Sequence, residues 1–287
     1  MYKRQGTDTA TTTTSGTNSY VGWCWKAGGS KNTFNVDDVG YATAAAAGLN
    51  GGDITPTGAS VGTKQGFSII EFTGSASGTP SISHGLSEAP NFIIQKDTGA
   101  TTSWRVFMYN GTTWSIMNFD DASGAQGATE TAPTSSLFYA NGNGNAANTQ
   151  IAYLWHDVPG LQKFGSYENP SSSEGAFVKL GFKPAILIYK CSKNISSSSG
   201  AGDWMIIDTT RSPVNNPSDM NNLSLNENNS EDGYYSASQG AVDILSNGFK
   251  IRHPNSSPGG DPGRLYTYAA WAEVPAFSLY GAQANAR

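Results

Sequence analysis

Four carboxylates, Glu71, Asp157, Asp208 and Glu273, stand on or beside apolar, strand-like segments where a β-rich glycan hydrolase would carry its catalytic acids. Such an enzyme needs two of them about 5 to 9 Å apart, one as acid and one as nucleophile or base. Their arrangement argues for structure instead. Asp157 lies two residues past Trp155 and Glu273 two past Trp271, and a carboxylate repeated at matching places caps a turn or pairs with a neighbouring base. His84, His156 and His253 lack HxH, HExxH or paired-acid spacing, so they signal neither a zinc site nor a Ser-His-Asp arrangement. They read as surface or turn histidines. The stretch SDMNNLSLNENNSEDG (218–233) is rich in oxygen ligands but lacks the ordered spacing of an EF-hand loop, and reads as a solvated acidic loop. NGNGNAAN (141–148) lacks the Lys-Ser/Thr of a phosphate-binding loop. Cys24 and Cys191 have no CxxC neighbour and read as buried free thiols. These residues lead to a non-enzymatic reading with no cofactor and no metal.

Aromatic rings are the remaining functional resource, because flat faces stack on sugars and anchor interfaces at little entropic cost. Trp104, Trp155, Trp204 and Trp271 recur at matched positions of two units and read as core. Trp114, after an Asn-Gly turn, and the pair Tyr234 and Tyr235, at the end of the acidic loop, are unmatched. These three are the candidate ligand-binding residues.

The elements that would carry them are strands. The 287 residues hold 37% hydrophobic and 11% aromatic side chains, enough for one large or two ordinary cores. Charged residues make up only 14%, against roughly 25% in an average soluble protein. With a formal net charge of −5 and scattered lysines and arginines, there is no basic footprint for nucleic acid. No apolar run approaches the ~20 residues of a membrane span, so membrane insertion is not expected. An internal repeat organises the rest. GFSIIEFTGSASG (66–78) is answered by LQKFGSYENPSSSEG (161–175), HGLSEAPNFIIQK (84–96) by VKLGFKPAILIYKC (178–191), and IAYLWHDVPG (151–160) by YTYAAWAEVPA (266–276). DILSNGFKIR (243–252) predicts a hairpin turning at Asn247-Gly248, and Asn110-Gly111 predicts another. No stretch keeps helical spacing for three turns. The fold class expected is all-β, with two tandem antiparallel β-sandwich-like modules, 66–160 and 161–276. MYKRQ (1–5) resembles a translated sequencing adaptor, 6–29 reads as the closing strand of a truncated upstream unit, 30–65 as a linker, and 277–287 as a tail.

The ordered set FSIIEFTG, SHGLSEAPNFIIQK, KFGSYE, LGFKPAILIYK, DWMIIDTTRSP, DILSNGFKIR and YAAWAEVP resembles a domain of unknown function recurrent in structural and tail-fibre proteins of marine bacteriophages, often after a laminin-G or concanavalin-like lectin domain. The resemblance covers most of residues 19–287 and supplies no catalytic residues. It implies a virion protein in a host-facing appendage, with other virion proteins and host-surface glycan or protein as partners and a homotrimer as an open possibility. Two other readings stay open: a secreted bacterial carbohydrate-binding module and a glycan-degrading tailspike domain.

Overall fold

The central strands are apolar on both faces because both faces are covered. The computed structural model describes residues 22–75, 77–125, 129–140, 147–170, 175–193, 202–213, 215, 221–227, 242–252 and 263–273. Among the described residues the chain is all-β, with no helix. In the first half the strands are β1 (Phe34–Val36), β2 (Val39–Tyr41), β3 (Gly58–Gly62), β4 (Phe67–Thr73), β5 (Ser81–Ser83), β6 (Phe92–Asp97), β7 (Arg105–Tyr109), β8 (Trp114–Asn118), β9 (Leu137–Tyr139) and β10 (Thr149–Trp155). In the second they are β11 (Gln162–Glu168), β12 (Phe177–Lys179), β13 (Pro184–Lys193), β14 (Met205–Asp208), β15 (Asn222–Ser224), β16 (Val242–Leu245), β17 (Gly248–Ile251) and β18 (Leu265–Ala272).

The repeat in the sequence is a repeat in topology. Strand order β4-β10-β6-β7-β8 in the first large sheet is matched by β11-β18-β13-β14-β15 in the second. Register follows the same correspondence. Trp155 lies opposite Phe92 and Trp271 opposite Ile186, while Phe107 faces Ile93 as Ile207 faces Leu187. Each large sheet is backed by a small one, β5-β9 in the first half and β12-β17-β16 in the second.

Side-chain alternation distributes these sheets over three cores. Ile70, Phe72, Ile93, Phe107 and Leu154 pack with Ile82 and Phe138 of the first small sheet. Tyr189, Ile207, Tyr266 and Tyr268 pack with Val178 and Phe249 of the second. Between them lies a central core in which Phe67, Phe92, Val106, Met108 and Trp155 of the first repeat meet Phe164, Ile188, Ile206 and Trp271 of the second. The two repeats therefore pack large sheet against large sheet, through equivalent faces.

Residues 34–62, read as linker, are part of this body. β3 pairs with β4, β1 pairs in parallel with β3, and β2 closes the edge, extending the first sheet to eight strands. Val36 and Val39 are opposed across Asp37 and Asp38, whose φ of 49° and 66° are those of a type I′ turn. Short polar segments hid these strands from sequence periodicity. The described part of the expected closing strand, 22–29, forms no strand. Trp25 instead wedges edge-on against Trp155 and Trp271, at ring separations of 6.1 and 5.1 Å.

The hairpin expected at 243–252 is present, but Leu245 pairs with Gly248, which places the turn at Ser246-Asn247. Gly248 serves another purpose. A Cβ there would lie 2.0 Å from the Val178 carbonyl oxygen, so glycine is required for β12 to approach β17.

Candidate functional site

Where the central core stops closing, the large sheets and the segments that follow their edge strands enclose a cleft of about 770 Å³. Its floor is the core-facing side of the first large sheet: Phe67 and Ile69 of β4, Ile94 of β6, and Tyr153 and Trp155 of β10. Trp25 closes one side. Trp104, immediately before β7, and Phe119-Asp120, immediately after β8, come from the first repeat, and Leu225-Asn226-Glu227, after β15, from the second. These rims are held alike in the two repeats. The Phe119 amide donates to the Trp104 carbonyl and the Leu225 amide to the Trp204 carbonyl, both at 2.7 Å, so Phe119 and Leu225 occupy equivalent places.

That equivalence explains the different fates of two matched tryptophans. Trp204 is 1% exposed. Its ring stacks on Phe119 at 4.9 Å, and its Nε1 donates to the Asn118 carbonyl at 2.8 Å. Lys190 lies 5.4 Å from the same ring and donates through Nζ to the Asp121 carbonyl at 3.1 Å and to the Gly202 carbonyl. Trp104, by contrast, is 43% exposed. The residue corresponding to Phe119 on the other rim is Leu225, which offers no flat ring. Trp104, read from its spacing as core, is thus a wall of the cleft. The Phe-to-Leu difference between Phe119 and Leu225 is the sequence signal that would have found it.

Of the three candidates, Trp114 stands in β8 opposite Tyr109, half-buried at the sheet edge, and its carbonyl accepts the Glu130 amide. It is not among the residues lining the cleft. Tyr234 and Tyr235 lie outside the described residues, as do His253 and much of 218–233.

The carboxylates singled out above are dispersed, three of them in structural bonds. Glu71 accepts from the Thr57 hydroxyl at 2.9 Å. Asp208 accepts the Thr210 and Arg211 amides and pairs with Arg211 Nε at 2.6 Å. Burial alone would raise its pKa, but the hydrogen bonds and charge of Arg211 more than reverse this and hold it below the usual value. Asp157 accepts the Phe164 amide at 2.9 Å, and burial pushes its pKa up. Glu273 is exposed. Among the described residues no group of three His, Cys, Asp or Glu could hold a metal ion.

His84 and His156 are buried, contrary to the surface reading. His84 accepts the Leu86 amide at Nδ1 and donates from Nε2 to the Thr134 carbonyl. Its ring is therefore held neutral, with a pKa lowered to about 4 by burial. His156 lies 3.3 Å from the Ser87 hydroxyl through Nε2, and its Nδ1 faces the Asp157 carbonyl at 2.7 Å. Cys191 is buried, whereas Cys24 is exposed.

The family described as a domain of unknown function, DUF7483, matches residues 2–275. No curated protein and no solved structure matches the chain.

Proposed function

We propose that this chain, which belongs to the DUF7483 family, is a non-catalytic adhesion component of a bacteriophage virion whose cleft holds a host-surface saccharide. The observation that carries the proposal is the exposed face of Trp104 in a cleft whose lining also includes the rings of Trp25, Phe67, Phe119, Tyr153 and Trp155. Aromatic faces bind the apolar face of a pyranose ring, and rings already fixed by packing lose little entropy in doing so. The strand scaffold fixes three of these rings, Phe67, Tyr153 and Trp155. Strands anchor five of the cleft residues, and backbone hydrogen bonds secure both rims.

A glycan array followed by tryptophan-fluorescence titration of the purified chain tests this reading. Trp104→Ala is expected to weaken the saccharide by about tenfold or more, the scale of an aromatic anchor at an interface. An array without a binder would overturn the proposal. Release of reducing sugar from host polysaccharide, abolished by changing Asp157 or another named carboxylate, would overturn its non-catalytic part. A secreted bacterial carbohydrate-binding module would use the cleft in the same way. Flanking tail or capsid genes favour the virion reading, and flanking polysaccharide-utilisation genes would overturn it.

A further inference from the structure

We infer that the occupant of the cleft is an amino sugar presenting a protonated amine, which rests on the saccharide reading above and narrows it by charge. Among the described residues, no Lys, Arg or His lines the cleft. Its amide and carboxylate side chains are Asp120, Asn226 and Glu227. Asn226 is committed to the fold. Its Oδ1 accepts the Trp204 amide at 2.7 Å, and its Nδ2 donates to Asp203 at 2.8 Å and to Glu227 at 3.4 Å.

Two exposed carboxylates remain as the charged groups of the rim among the described residues, Asp120 beside Phe119 on the first repeat and Glu227 two residues past Leu225 on the second. A uronic acid or sialic acid would bring a third negative charge into the cleft without a cation among the lining residues to receive it. A neutral sugar would meet the carboxylates through hydroxyl donors alone. An ammonium group makes charge-assisted hydrogen bonds to a carboxylate and is also drawn to the negative face of an indole or phenyl ring. The aromatic floor and the acidic rim therefore select the same chemical group.

Calorimetric titration of the full chain with glucosamine, N-acetylglucosamine and galacturonic acid oligomers of equal length tests the inference. The glucosamine oligomer is expected to bind about tenfold tighter than its acetylated counterpart and to weaken as salt is raised, with the galacturonic acid oligomer weakest. The Asp120→Asn, Glu227→Gln double variant, both positions exposed, is expected to lose that margin. Equal binding of the acetylated or acidic oligomer, or a margin that survives the double variant, would overturn the amine while leaving the saccharide reading in place. Silence from all three, with another glycan captured on the array, would also overturn only the amine. Silence from every glycan would overturn both.

Discussion

His84 shows how a single ring becomes a stability term. With Nδ1 accepting from Leu86 and Nε2 donating to Thr134, the neutral tautomer satisfies both neighbours, and a second proton would set two donors against each other. The folded pKa of about 4, lowered by burial, lies below the ordinary value of 6.5. Between those values the unfolded chain takes up a proton that the folded chain refuses. Stability is therefore complete above about pH 6.5 and falls by roughly 3 kcal/mol as pH drops to 4. Urea unfolding across that range checks this, and His84→Asn, which keeps an acceptor facing Leu86 without titrating, should flatten the slope. Lys190 gives the opposite window. Burial lowers its pKa to about 8 from 10.5, so unfolding free energy should rise by roughly 3 kcal/mol between those values relative to a Lys190→Met variant. The sequence gives no warning of this burial, because Lys96 at the matching position is half-buried and donates to the Thr102 carbonyl at 2.6 Å. Both lysines donate to the carbonyl two residues before the matched tryptophan, Thr102 or Gly202; Lys190 also meets the Asp121 carbonyl of the first repeat, a partner invisible along its own strand.

At the level of elements, Gly248 separates what the sequence expresses from what only packing decides. Asn-Gly between apolar runs correctly marks the hairpin of β16 and β17, yet the turn falls one residue earlier and the glycine is needed for the approach of β12. Gly248→Ala would drive a methyl group into the Val178 carbonyl. It should cost about 1 to 3 kcal/mol, readable in the denaturant midpoint, with amide exchange quickening first in β12. The matched Trp strands behave similarly. Their spacing established that β7 and β14 are equivalent, as registers with β6 and β13 bear out. It did not establish that both tryptophans are packed, since that depends on what the other repeat sets against each, Phe119 against Trp204 and Leu225 on the rim of the Trp104 cleft.

The whole molecule is organised by a core that neither repeat owns. Removing the second repeat would uncover Phe67, Phe92, Val106, Met108 and Trp155 of the first together, and removing the first would uncover Phe164, Ile188, Ile206 and Trp271. Such apolar faces are not tolerated in water. Calorimetry of the intact chain should accordingly show one transition, with coincident fluorescence and circular dichroism curves. A chain ended at residue 160 should be insoluble or bind a hydrophobic dye; two separate transitions would contradict the shared core. The repeat and the apolar strands of both modules were legible in the sequence, but not the strands of 34–62 or the stacking of the repeats. Two apolar faces on a strand announce that both are covered without saying by what.

The same seam has a mechanical consequence. Within each large sheet, neighbouring strands are joined by ladders of backbone hydrogen bonds. Across the seam the ties are isolated, such as Gln162 to Gly66, Trp204 to Asn118 and Ser192 to Asn110. Under tension such ties yield one at a time while a sheared ladder resists as a unit, so a pulled molecule should part at the seam before either sheet unravels. The cleft has a rim on each side of that seam. A ligand held there would bridge the two halves and raise the force needed to separate them, and once they part its binding surface would be divided between them.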